Sequence, residues 1–311
     1  MEKASPVVLI RVSSILVVLE TVGHLSGYPW TSSHVLQETQ LVHSMRAVDY
    51  LFFGERSSYW SLYSGWGLFI FVLLFTLAII LWFLANLARL APRQIGVITG
   101  IISAGLLACA YLSFRFFYLP SSLLLSATCL ILLTAAVQLL RRPSSTSENK
   151  SNNKRLPGFF ASPFVLFRVC SLLFVFLLSG HWSSYPWSSA RNPQESHLVE
   201  SMKSIDFVFM GEHQTYWGLH FGWGLLVGVL LFAMVAILWI LSDLTRVAPR
   251  RLGVIAGIIS AISMVGAYIS FRFFYVPPFI CYSAICVIML TATVQLLGQQ
   301  TIFTDRPGLE K

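Results

Sequence analysis

Charge is scarce in this sequence. Asp, Glu, Lys and Arg make up 11% of its 311 residues, where soluble globular domains carry roughly 25%. A chain so poor in charge cannot cover a surface that faces water all round, so much of its exterior must face lipid. Paired cysteines are also lacking. Cys109, Cys129, Cys170, Cys281 and Cys286 all stand inside apolar runs and none forms a C-x-x-C pair. That argues against a disulfide framework, a zinc site or a thiol-redox centre and for small buried apolar side chains. Paired catalytic carboxylates, a nucleophile–base pair, a phosphate loop and a histidine box are absent too. No metal site is expected, no motif indicates a cofactor, and an enzymatic role is the weaker expectation without being excluded. Nucleic acid is not an expected partner. The net charge is +8, but the basic residues sit in short tracts between apolar runs rather than in a stripe, as cytoplasmic loops do under the positive-inside rule.

What is present is hydrophobic: 56% of the residues, with a mean hydropathy of +0.73. A bilayer core of about 30 Å is crossed by roughly 20 apolar residues in a helix. Eight such runs occur, at residues 7–25, 62–84, 95–117 and 121–140, and again at 164–182, 219–241, 252–274 and 279–297. Pro92, Pro120, Pro249 and Pro277 stand at helix starts, where a missing N–H costs little. The first run resembles a signal peptide, but its counterpart begins after residue 160, so it reads as a retained membrane helix. The expected fold is an all-α membrane protein of eight transmembrane helices, with amphipathic helices in its long outer loops.

The two sets of four are alike. A shift of 157 residues superposes the halves without a gap. Residues 89–103 (RLAPRQIGVITGIIS) match 246–260 (RVAPRRLGVIAGIIS) at 11 of 15 positions, and 111–120 (YLSFRFFYLP) match 268–277 (YISFRFFYVP) at 8 of 10. Tyr28-Pro29-Trp30 recurs as Tyr185-Pro186-Trp187, and Gly65-Trp66-Gly67 as Gly222-Trp223-Gly224. We read a tandem duplication: a first four-helix repeat at residues 1–140, a Ser/Asn/Lys-rich flexible linker at 141–163, a second repeat at 164–298 and a tail at 299–311.

Loop charge sets the expected orientation. Arg89 and Arg93, then Arg246, Arg250 and Arg251 against Asp243, make both short loops basic, and the linker is more basic still. The long loops, residues 31–59 and 188–216, carry more carboxylates than cations. Both termini are therefore expected in the cytoplasm, the long loops outside, and the chain in the plasma (inner) membrane. Four helices is an even number, so the halves enter from the same side as parallel repeats, a pseudo-dimer with an axis along the membrane normal. Gly96, Gly100 and Ala104, with Gly253, Gly257 and Ala261, form small-residue faces. These are expected to pack helices tightly, across that axis.

Several polar residues stand out. Val42, Met45, Asp49 and Phe52 fall at helical spacing, as do Val199, Met202, Asp206 and Phe209. This predicts an amphipathic loop helix with an aspartate in its apolar stripe. Arg115 and Arg272, flanked by Tyr111 and Tyr118 and by Tyr268 and Tyr275, are the expected partners of Asp49 and Asp206. Such pairs either fix the loops or bind a polar headgroup. His24 and His181 are the histidines kept in both halves. They read as hydrogen-bonded structural groups, with haem ligation the open alternative. Glu20 lies one turn before His24, and its counterpart is Leu177. An intramembrane carboxylate is a functional signal by default, though here it could simply pair with His24 or Arg115. Trp66 and Trp223, between glycines, belong to an aromatic belt or to a ligand wall.

Each half carries Gly-His (Gly23-His24; Gly180-His181), then Met45 with Asp49-Tyr-Leu-Phe-Phe-Gly54 or Met202 with Asp206-Phe-Val-Phe-Met-Gly211, then Tyr-Trp and Gly-Trp-Gly. In these residues the chain resembles a group of small bacterial four-helix membrane proteins, loosely DoxX-like, which usually have one unit per chain. The group has no established activity; the DoxX comparison implies a link to quinol-dependent redox chemistry. The leading functional expectation is binding or transport of a small or lipid-like molecule at an outer-side site near His24, Asp49, Trp66, Tyr111, Arg115, His181, Asp206, Trp223, Tyr268 and Arg272. The alternatives are a membrane redox or enzyme subunit using the repeated His, Arg and Tyr residues, and a structural or assembly factor.

Overall fold

The structure, a computed structural model, describes residues 4–27, 35–52, 55–142, 162–184, 192–209 and 212–298. Nearly all of the linker, the C-terminal tail and both Tyr-Pro-Trp motifs lie outside the described residues. The described elements are α1 (Pro6–Gly27), α2 (Leu36–Ala47), β1 (Asp49–Phe52), β2 (Glu55–Ser58), α3 (Tyr59–Leu87), α4 (Pro92–Phe116) and α5 (Leu119–Leu140). The second half gives α6 (Pro163–Ser184), α7 (Pro193–Ser204), β3 (Asp206–Phe209), β4 (Glu212–Thr215), α8 (Tyr216–Leu244), α9 (Pro249–Phe273) and α10 (Val276–Gly298). All but the 12-residue α2 and α7 are long and apolar enough to cross a membrane, making eight spans. In lipid every backbone N–H and C=O must be satisfied within the segment, and a helix does this.

The longest helices are central. At 29 residues each, α3 and α8 run about 43 Å at 1.5 Å per residue, more than a bilayer core needs. Two thirds of the most apolar window of α3 (67%) is buried, against 39% for α1. Ser58 and Thr215 start these helices by accepting hydrogen bonds from the backbone N–H groups of Ser61 and Gly218, the usual N-cap device. In the first half α1 packs on α3 and α5, and α4 on α5; the second half repeats this with α6, α8, α9 and α10. Between halves α3 lies against α8 and α9, and α4 against α8. Neighbours in sequence, α3 and α4, barely meet, as do α8 and α9. The packing therefore crosses from one half to the other.

The loop segments differ from the sequence expectation. The helix stops at Ala47, and Asp49 opens an antiparallel hairpin in which it pairs with Ser58 and Phe52 with Glu55. Asp206 likewise opens the β3–β4 hairpin. Met45 and Met202 are buried on the helices as the stripe predicts, but the aspartates leave the helical register and are exposed.

The small-residue faces are also corrected. A Cβ on Gly96 would lie 3.0 Å from Leu140 and one on Gly253 3.0 Å from Leu297. The tight contacts are thus α4 on α5 and α9 on α10, within each half and not across an axis. Ala104 and Ala261 are exposed and take no part. The crossing between halves is closest elsewhere. A Cβ on Gly65 would stand 2.5 Å from the Phe274 ring and 2.9 Å from Phe273, and one on Gly222 2.7 Å from Phe116 and Phe117. Gly23 has nothing within 4 Å of such an atom. Gly65→Ala and Gly222→Ala should each cost about 1–3 kcal/mol through overpacking, and Gly23→Ala should cost nothing measurable. Thermal unfolding in one detergent would check the contrast, and equal losses at all three positions would contradict this packing.

Candidate functional site

The hairpins lie at the end of the bundle where α3 and α8 begin, and a cavity opens there. Its volume is about 300 Å³, and it is bounded by α1 to α5 of the first half and by α8 and the β3–β4 hairpin of the second. Glu20 of α1, 7% exposed, faces it. Its carboxylate accepts a short hydrogen bond from Ser121 Oγ at the start of α5, and Ser113 Oγ lies 3.4 Å from Ser121 Oγ. Pro120, just before Ser121, helps to set the start of α5 and so this hydroxyl. Tyr118 lines the same wall. Burial first, and the nearby Glu20 charge second, push its phenol up to about 12, so it remains a protonated donor at neutral pH.

His24 lies one turn beyond Glu20. Its Nε2 stands 2.9 Å from the Gly67 carbonyl; a carbonyl only accepts, so Nε2 carries a proton. Trp223 from the other half meets this imidazole edge-on at 6.0 Å and stacks on Phe117 at 6.4 Å. The arrangement is reciprocal: His181 Nε2 is 2.8 Å from the Gly224 carbonyl, and Trp66 meets His181 at 4.6 Å. Gly-Trp-Gly thus has a separate use for each residue. The first glycine admits a phenylalanine of the opposite half, the tryptophan reaches the opposite histidine, and the second glycine offers its carbonyl to its own half's histidine.

The corresponding space in the second half is different. It holds about 120 Å³ and is almost wholly apolar, lined by Leu177, Phe274, Pro278 and Tyr282 among others. Leu177 replaces Glu20, Pro278 replaces Ser121, and Tyr282 replaces Leu125. The Tyr282 ring packs against Gly266, where a Cβ would stand 2.9 Å away. The first half has Cys109 at that position.

Of the residues singled out from sequence, His24 and Trp223 meet at the large cavity, and Trp66 and His181 at the small one. The other six lie elsewhere. Asp49 and Asp206 are exposed on the hairpins. Arg115 and Arg272 are exposed with their guanidinium groups over Phe116 and Phe273, and Tyr111 and Tyr268 are each 66% exposed. The expected Asp49–Arg115 and Asp206–Arg272 pairs are not formed. Among the described residues the ion pair is Arg168–Asp243, at 3.0 Å at the opposite end of the bundle, where Arg11 reaches Asn86 at the same distance. Glu20 pairs with Ser121 rather than with His24 or Arg115. No group of three or more His, Cys, Asp or Glu able to hold a metal occurs among the described residues.

Sequence reading missed the contacts between halves. Tyr59 Oη donates to the buried Glu195 carboxylate at 2.5 Å. The hairpin carboxylates cap helices of the opposite half: Glu212 accepts from the Leu119 N–H at 3.1 Å and Glu55 from the Val276 N–H at 3.2 Å. Gln214 donates to the Phe117 carbonyl. The available signal was the matched position of Glu55 and Glu212 in both halves; their partners are not legible from one chain. Compared with protein families, curated proteins and solved structures, the chain matches no family model, no curated protein and no solved structure.

These distances separate two double-mutant cycles. Tyr59→Phe and Glu195→Gln should couple by about 1–3 kcal/mol, as a hydrogen bond to a buried charge does. Asp49→Ala and Arg115→Ala should be additive within about 0.5 kcal/mol. Chemical denaturation in micelles measures both; coupling in the second cycle would restore the surface pair.

Proposed function

We propose that this multi-pass membrane protein binds a small, lipid-like molecule in the cavity at Glu20, and that it holds one such site rather than two. One observation carries the reading: matched positions in two like halves give an open, polar cavity in one and a narrowed, apolar space in the other. A structural protein has no use for a buried carboxylate beside a void, because the carboxylate costs folding energy unless something exploits it. A volume of about 300 Å³ falls at the small end of ligand pockets, and the walls combine apolar side chains with a few convergent polar groups, as such pockets do. Binding or transport is therefore favoured over a redox subunit or an assembly factor, for which no particular contact speaks.

The same proposal includes the architecture. The halves are repeats of one duplicated four-helix unit, related by an approximate two-fold axis along the membrane normal. Their helix lengths, which match to within one residue, and their reciprocal contacts support this, as does the sequence match. Of the residues of the DoxX-like resemblance, His24 and Trp223 line the large cavity and Trp66, Gly180 and His181 the small one, which supports keeping that kinship in the reading. Loop charge supports placing the hairpin end outside the inner membrane and both termini in the cytoplasm.

The site is tested by making the first half copy the second. Leu125→Tyr with Cys109→Gly should fill the cavity as Tyr282 fills its counterpart. A small molecule that copurifies with the wild type in native mass spectrometry should be lost, with thermal stability retained. Undiminished occupancy in a folded variant would place the ligand elsewhere. Orientation is tested with single cysteines in a cysteine-free background. Ser204→Cys should react with a membrane-impermeant maleimide on intact cells and Leu90→Cys should not; the reverse pattern inverts the topology.

A further inference from the structure

The cavity wall has an unbalanced charge. Glu20 stands in its side and Glu38, in the first turn of α2, also lines it, while among the described residues no Lys or Arg does. Four described cations at this end of the bundle lie over aromatic rings: Arg46 over Trp60, Lys203 over Trp217, Arg115 over Phe116 and Arg272 over Phe273. Among the described residues Ser121 is the one hydrogen-bond partner of Glu20, and a carboxylate can accept about four hydrogen bonds. The aromatic rings of Phe117, Tyr118, Tyr216 and Trp223 complete the wall, and aromatic faces attract cations. The second half removes the acid along with the space. Leu177 stands where Glu20 does, and Glu195, the counterpart of Glu38, is 3% exposed and bonded to Tyr59.

We propose that the ligand of this cavity is a monovalent organic cation with an apolar body, its ammonium group seated between Glu20 and Glu38 and its body against Trp223 and Phe117. The inference rests on the reading that the cavity binds a small molecule, and it adds the sign of the charge. An anion would meet two carboxylates in a low-dielectric setting without a compensating cation, and a neutral body would leave Glu20 with no partner beyond Ser121. An ammonium meets an opposite charge, hydroxyl acceptors and ring faces together.

Three probes of one body and different charge test this: 4-phenylbutylamine, 4-phenylbutanol and 4-phenylbutyrate. Each is titrated calorimetrically into the full-length protein in nanodiscs of neutral lipid, with protein-free discs subtracted. The amine should bind about tenfold or more tightly than the alcohol, and the carboxylate should not bind. In Glu20→Gln the amine should fall to the alcohol's affinity while alcohol binding persists, which also shows that the variant is folded. Equal binding of amine and alcohol to the wild type, or preference for the carboxylate, overturns the cation assignment and leaves the cavity reading intact. If none of the three binds, both fall. Amine binding unchanged in Glu20→Gln removes the role given to that carboxylate. The wild-type series decides the charge class whether or not the variant folds.

Discussion

Two close approaches hold this bundle together, Gly65 under Phe273 and Phe274, and Gly222 under Phe116 and Phe117. In a bilayer the hydrophobic effect does not drive helix against helix, so association depends on contact distance and on polar groups. A glycine lets a ring sit where a methyl group would stand, and two such points bring α3 to α9 and α8 to α4. Everything at the hairpin end follows. Trp66 and Trp223 reach the opposite histidines only because the backbones beside them are this near. The helix-capping carboxylates Glu55 and Glu212 reach their targets for the same reason.

On this frame the halves have parted in their chemistry. Three matched positions, Glu20 with Leu177, Ser121 with Pro278 and Leu125 with Tyr282, account for much of the difference between an open polar cavity and a narrow apolar one. Frame residues such as His24 and His181 keep the same hydrogen bond to a glycine carbonyl in both. A residue held in common by the halves is thus not thereby a ligand contact. Here it more often serves the frame, and the positions that differ fall at the larger cavity.

This explains what the sequence made legible. The eight spans could be read because apolar runs of membrane length have few other uses, and their observed ends fall within a few residues of expectation. The cavity is less legible, because the polar residues that recur in both halves are mostly not the ones that open it. Recurrence points to Arg115, Arg272, Tyr111 and Tyr268, which lie exposed on α4 and α9, and not to the unmatched Glu20. Asp49 was misplaced for a local reason. Its spacing from Met45 fits a helix, and a short hairpin beginning at that residue leaves no contrary signal beyond one glycine. Ser121, Gln214 and Glu195 act through partners 97 to 136 residues away, or through a cavity that exists only once the helices are packed, and periodicity holds no information about either.

The reciprocal capping by the hairpins has a consequence in time. The N–H of Leu119, near the start of α5, is satisfied by Glu212 of the other half, and Trp223, a wall of the large cavity, comes later still in the chain. During synthesis the first four spans enter the membrane before either residue has been made. For that interval α3 lacks α8 and α9, its partners across the bundle, and the cavity lacks one side. The first half therefore waits in the bilayer as an unfinished surface, and the polypeptide completes the cavity wall from its own later-made half. A protein built this way assembles like a dimer whose partner is always supplied in the right number.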